Sequence, residues 1–145
     1  MNRSKRLAAV QGLEDKKVEG IARDLAVARK NLALRRQQLE KLVLYMNEYN
    51  SAAPDAAENR GLFLERRAFL GRLDEALEAA KERVVQCERD CAALVAQWHK
   101  QKGRARALES AGERLQATAQ QRLDKAEQAN SDEVGARQGS SWSQD

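Results

Sequence analysis

The sequence has few of the residues that build a thick globular core. Aromatic residues make up only 4% of the 145 residues, and there is a single proline. Charged residues, in contrast, account for 33% of the chain. This combination is typical of a long exposed helix or a coiled coil. The composition therefore favours an extended all-α fold over a compact globule.

The residues that carry most catalytic and metal chemistry are also scarce. With His99 as the only histidine, no Ser/His/Asp or Cys/His arrangement can be assembled, and no glycine-rich phosphate loop is present. Cys87 and Cys91 lie four residues apart on one predicted helix, where the backbone resists disulfide geometry. We interpret both as reduced thiols that fill the core. We expect no enzymatic activity, no cofactor and no metal.

Long apolar runs are absent as well. No stretch approaches the roughly 18–20 apolar residues that a membrane span needs. No apolar run follows the basic residues 1–6, so a signal peptide is not expected. The 26 basic and 22 acidic residues alternate along the chain, which is typical of a solvated helix surface. We expect a cytoplasmic protein without direct membrane insertion.

Apolar residues recur every seven positions on both sides of Pro54. The rows before the proline are Val18, Leu25, Leu32, Leu39 and Met46, and Leu7, Ile21, Ala28, Leu42 and Tyr49. The rows after it are Phe63, Leu70, Leu77, Val84, Cys91, Trp98 and Ala105, and Leu73, Ala80, Cys87, Leu94, Leu108 and Leu115. Heptad rows of this kind predict two helices that pack along a coiled-coil seam.

The predicted fold class is all-α: a long two-helix antiparallel coiled coil in which the second helix overhangs. The hairpin domain covers residues 1–129, with a helix at about 5–52, a turn at about 53–58 and a helix at about 59–129. Residues 130–145 are rich in Ser, Gly, Gln and Asp and are predicted to be disordered. We expect a monomer.

Folding back at the proline predicts a register in which opposed residues have numbers that add to about 112. This register places Leu25 opposite Cys87, and Gln11 opposite Gln101 as a polar layer. Beyond Leu108 the second helix would have no partner within the chain, although its apolar stripe continues. An unpaired apolar stripe predicts a binding partner.

Two surfaces are candidates for such binding. Near the turn, a strip combines Gln38, Leu42, Tyr45 and Tyr49 with Phe69, Leu73 and Ala76 of the returning helix. Leu42, Tyr49 and Leu73 are equally well explained as seam residues. Tyr45 and Phe69 are predicted to lie off the seam, where exposed aromatics more often mark interfaces.

The second surface is the basic open end, where Arg3, Lys5 and Arg6 are expected near Lys100, Lys102, Arg104 and Arg106. No stacking aromatics alternate with these charges, and no nucleic-acid motif is present. A solvated face, a protein partner and nucleic acid all remain open here. The candidate binding residues at this end are Lys100, Lys102, Arg104 and Arg106, with Leu108 and Leu115 of the apolar stripe.

The segment Leu42-Val43-Leu44-Tyr45-Met46-Asn47-Glu48-Tyr49 resembles the L-x-x-Y-x-x-E-Y segment that ends the first helix of FliJ proteins. The similarity extends to Phe69 with Leu73, to Trp98 and the basic residues after it, and to Gln121-Arg122-Leu123-Asp124-Lys125. It covers the chain from about residue 7 to residue 137.

The resemblance implies a non-enzymatic component of the bacterial flagellar type III protein export apparatus, acting in flagellum assembly and hence in motility and chemotaxis. It implies three partners: the hexameric export ATPase, whose stalk it would form, the cytoplasmic domain of the export gate protein FlhA, and export chaperones. It also implies a cytoplasmic protein, peripherally associated with the inner membrane through that apparatus, that binds no nucleic acid.

Carried over by position, the gate-binding residues are Gln38, Leu42, Tyr45, Tyr49, Phe69, Leu73 and Ala76. The basic open end and its apolar stripe are then expected to engage the ATPase ring. Two alternatives remain: the stalk protein of a virulence type III secretion injectisome, which usually lacks the Tyr-x-x-Glu-Tyr segment, and a structural scaffolding coiled coil.

Overall fold

The computed structural model describes residues 2–52 and 60–142, which form two helices, α1 (Asn2–Ser51) and α2 (Arg60–Trp142). The helices pack against each other as a two-helix hairpin, and the described residues contain no strand. The predicted all-α coiled coil is therefore confirmed. The predicted turn, with Pro54, lies outside the described residues.

The chain divides into two compact units. The turn unit consists of Glu19–Lys100, and the terminal unit combines Met1–Val18 with Gln101–Asp145. Each unit contains a stretch of α1 and a stretch of α2, so each has its own section of the helix–helix seam.

The core of the turn unit is a narrow line of seam residues. Leu32, Val84 and Cys87 form its central cluster, and Leu39 and Cys91 pack against them. The rest of its buried apolar side chains are Leu25, Leu73 and Ala80. All of these residues belong to the predicted heptad rows, because a seven-residue repeat keeps one face of each helix turned to its partner. One residue of the predicted rows, Phe63, does not belong to the core, since its side chain is 54% exposed.

The terminal unit continues the same pattern with a polar layer. Ala105 is buried, and so is Gln101, whose side-chain amide donates a hydrogen bond to the carboxylate of Glu14. Leu7 of α1 faces Gly112 of α2, with its Cδ2 atom 3.5 Å from the position that a β-carbon on that glycine would occupy. An apolar α1 side chain thus packs directly against the α2 backbone.

This packing corrects the prediction that α2 is without a partner beyond Leu108. Because α1 begins at Asn2, its first turns cover part of that stretch, and Leu108 and Leu115 are both half-buried. The described side chains of residues 116–139 are all exposed. The uncovered part of α2 therefore begins after Leu115.

The register also differs from the predicted one. In the turn unit, Asn31 contacts Cys87 and Tyr49 contacts Phe69, pairs whose numbers add to 118 rather than about 112. Cys87 accordingly packs with Leu32, not with Leu25. In the terminal unit Gln101 pairs with Glu14 and not with Gln11. A slipped heptad register still brings apolar rows together, so the polar and aromatic contacts select among the registers.

A further correction concerns the predicted disordered tail. Helix α2 continues to Trp142 instead of ending near residue 129, and residues 143–145 lie outside the described residues. No proline follows Pro54, so nothing in this stretch removes a helical backbone donor. Arg137 also pairs with Glu133 at 3.0 Å one turn earlier, which supports a helix locally.

Candidate protein-binding surfaces

Three aromatic side chains from both helices meet in the turn unit. The ring centroids of Tyr49 and Phe69 are 4.9 Å apart, and Tyr45 approaches Phe69 edge-on at 6.4 Å. We call these three residues the aromatic cluster. Tyr45 is 49% exposed, whereas Tyr49 and Phe69 are half-buried. The cluster therefore consists of two half-buried rings in contact, Tyr49 and Phe69, and the more exposed ring of Tyr45.

Arg66 ties this cluster to the end of α1. Its Nη2 atom donates hydrogen bonds to the carbonyl oxygens of Tyr49 at 3.2 Å and Ala52 at 2.7 Å. Its guanidinium carbon lies 5.1 Å from the centroid of the Tyr49 ring. The last carbonyls of a helix have no partner within it and carry partial negative charge, so a cation is favourable there.

The sequence prediction missed Arg66. One signal could have found it: the last turn of α1 contains no basic residue of its own, and Arg66 follows early in the returning helix. The capping contact depends on the register, however, and a shifted register would place a different residue beside the α1 carbonyls.

A shallow groove lies beside the cluster on the Tyr45 side. Long side chains of α1 face three alanines and one arginine of α2 across it. Its lining is Arg35, Gln38, Lys41, Leu42, Tyr45, Ala76, Ala79, Ala80 and Arg83. The structure thus brings together four residues of the predicted gate-binding set: Gln38, Leu42, Tyr45 and Ala76.

The other three residues of that set are placed differently. Tyr49 and Phe69 line a second depression, together with Leu62 and Arg66. Leu73 is only 8% exposed and belongs to the core. The prediction that Phe69 lies off the seam is wrong, because its half-buried ring packs on Tyr49. Truncation of Phe69 would therefore disturb packing as well as any partner.

The six predicted ATPase-ring residues are divided between the two units. Lys100 belongs to the turn unit and is exposed, while the other five belong to the terminal unit. Arg104 and Arg106 are exposed and, being two residues apart, point in directions about 160° apart around the helix. Lys102 is half-buried.

Leu108 and Leu115 are the apolar members of that predicted set. Both line a groove shared with Leu7 and Val10 of α1. Leu108 and Leu115 therefore belong to the helix–helix seam, while the basic residues lie on the flanks of α2.

The described residues contain no cluster of metal-binding side chains. Within residues 2–52 and 60–142, no three His, Cys, Asp or Glu side chains come together as metal ligands. Cys87 is buried and accepts a weak hydrogen bond from the Asn31 amide at 3.5 Å. No described helix has an apolar stretch long enough to cross a membrane.

The chain was compared with known protein families. The family model described as "Flagellar FliJ protein" matches residues 3–141, nearly the whole chain. A search among curated proteins found no match.

Proposed function

The chain belongs to the FliJ family of flagellar proteins, and from this premise we propose that it forms the stalk of the export ATPase ring and links that ring to the export gate. The family assigns the chain to flagellar protein export. The finer proposal is a non-enzymatic component of the type III export apparatus. Its partners would be the hexameric ATPase, the cytoplasmic domain of FlhA and export chaperones.

The observation that carries the gate-binding part is the aromatic cluster with its adjoining groove. Tyr45 projects from an anchored pair of rings and shares the groove with Gln38, Leu42 and Ala76. A largely exposed aromatic ring beside a shallow, partly apolar groove has the composition of an interface hot spot, where few residues carry most of the binding energy. The resemblance of the Tyr45 segment to the FliJ pattern supports the same site.

The test is calorimetric titration of the purified chain with the FlhA cytoplasmic domain. Tyr45→Ala should cost about 1–3 kcal/mol of binding, or roughly 5- to 150-fold in Kd, while leaving the melting temperature nearly unchanged. Leu44→Ala is the matched control, because Leu44 is 56% exposed on the same helix but outside the groove. Equal affinities for both variants would refute the site.

The ATPase-binding part of the proposal is supported by two exposed basic residues of α2, Arg104 and Arg106. Arg104→Glu combined with Arg106→Glu should reduce stimulation of the export ATPase with unchanged helicity. The control combines Arg122→Glu with Lys125→Glu, which reverses the same number of exposed charges farther along α2. Equal stimulation by the two double variants would count against this assignment.

A further inference from the structure

The terminal unit contains a groove along one side of the helix–helix seam. Its floor is apolar and consists of Leu7, Val10, Leu108, Ala111 and Leu115. Its rim carries Arg3, Arg6 and Arg114, and no carboxylate lines it. We call this surface the arginine-rimmed groove. Val10 is 43% exposed, so part of the apolar floor is open.

The opposite side of the same seam provides an internal comparison. There the groove beside Leu7 and Leu115 contains Glu109 and Glu113 and no basic residue. The two sides of one helix pair therefore differ in the sign of their charge. In the described part of the chain, none of the three rim arginines forms an ion pair with a carboxylate.

The position of Arg3 and Arg6 strengthens this asymmetry. Both lie in the first turns of α1, which has no acidic residue in its first turn. The N-terminus of a helix carries partial positive charge, so basic residues there are unfavourable and a nearby anion is favourable. Carboxylates from a bound partner would offset both the arginine charges and the helix end.

We infer that the arginine-rimmed groove binds an amphipathic helix of a partner protein, with apolar residues on one face and carboxylates along that face's edges. Apolar side chains at i, i+3, i+4 and i+7 would occupy the open floor as a third helix does in a bundle. The carboxylates would pair with the rim arginines, which suit bidentate contacts. The groove shares Leu108 and Leu115 with the proposed ATPase-ring surface, so the inference deepens the proposed function at that end.

The test uses a designed peptide and no export component, so the inference and the proposed function can fail separately. The probe is a labelled amphipathic helix of about 18 residues, with a leucine face flanked by glutamates. Its matched control keeps the leucines and replaces every glutamate with lysine. Fluorescence anisotropy with the full chain should show binding of the acidic peptide and none, or at least tenfold weaker binding, of the basic one.

Variants of the chain then locate the site. Arg6→Glu with Arg114→Glu should weaken binding of the acidic peptide at least tenfold, whereas Arg122→Glu with Lys125→Glu, at exposed positions outside the groove, should not. Val10→Ser should weaken binding, while Leu13→Ser, which removes an apolar side chain that is 59% exposed outside the groove, should leave it unchanged. Circular dichroism confirms that each variant keeps its helicity.

Several results would overturn the inference. Equal binding of the two peptides, or no effect of Arg6→Glu with Arg114→Glu, would show that the groove does not select carboxylates. Binding to anionic vesicles or to duplex DNA, with no binding of the acidic peptide, would assign the arginines to a different partner. A concentration-dependent dimer in sedimentation that Val10→Ser abolishes would make a second copy the occupant.

Discussion

Replacing Arg66 with glutamine removes contacts that join the end of α1 to the start of α2 while keeping a polar, uncharged side chain at that position. The lost contacts include the hydrogen bonds to the Tyr49 and Ala52 carbonyls and the contact of the guanidinium with the Tyr49 ring. A hydrogen bond contributes about 0.5–1.5 kcal/mol net, and an exposed cation–π contact about 0.5–1 kcal/mol. Solvent access at the Ala52 carbonyl lowers the sum, so we expect a loss of about 1–2 kcal/mol.

The assay is urea denaturation of the full chain followed by circular dichroism. Arg67→Gln is the control, because Arg67 is exposed at the next position of α2 and its substitution removes the same charge. We expect that control to change the free energy of unfolding by less than about 0.5 kcal/mol. Arg66→Lys should give an intermediate loss, since an ammonium keeps the charge but lacks the planar fork. Equal stabilities of the Arg66→Gln and Arg67→Gln variants would refute the capping role.

Two further stability predictions concern the seam. Leu32→Ala should cost about 2–4 kcal/mol in the same denaturation assay, because Leu32 is 9% exposed in the central cluster, while Leu34→Ala, at a 54% exposed position, should cost under about 0.5 kcal/mol. Similar losses at both positions would contradict the seam assignment. Glu14→Ala should cost about 1–2 kcal/mol, since it leaves the buried Gln101 amide without its acceptor. The exposed Asp15→Ala is its control, and a stable Glu14 variant would argue against the polar layer.

Much of the seam could be predicted from the sequence because heptad periodicity is a local property. Leu32, Val84 and Ala105 were assigned to the seam by their spacing alone, and each is buried. Gln101 was likewise predicted to form a polar layer, and it is buried with a hydrogen bond. These predictions needed only the direction in which each side chain leaves its helix.

The candidate site was harder to predict because it depends on both helices at once. The strip on α1 with Tyr45 followed from spacing, and Ala76, which was predicted beside it on α2, lines the same groove. Which α2 residue meets Tyr49 depends on the register, and a seven-residue repeat is satisfied by more than one register. Arg66 was missed for this reason, and Phe69 was placed off the seam for the same reason.

Two heptad-patterned helices on either side of Pro54 could be predicted from the sequence, because periodicity, charge and proline chemistry act within a few residues. The tertiary structure alone decided the register, through Asn31 with Cys87 and Tyr49 with Phe69. It also decided that the first turns of α1 cover the α2 stripe as far as Leu115. Contacts between residues far apart in the chain depend on how the two helices meet, and no local pattern specifies that.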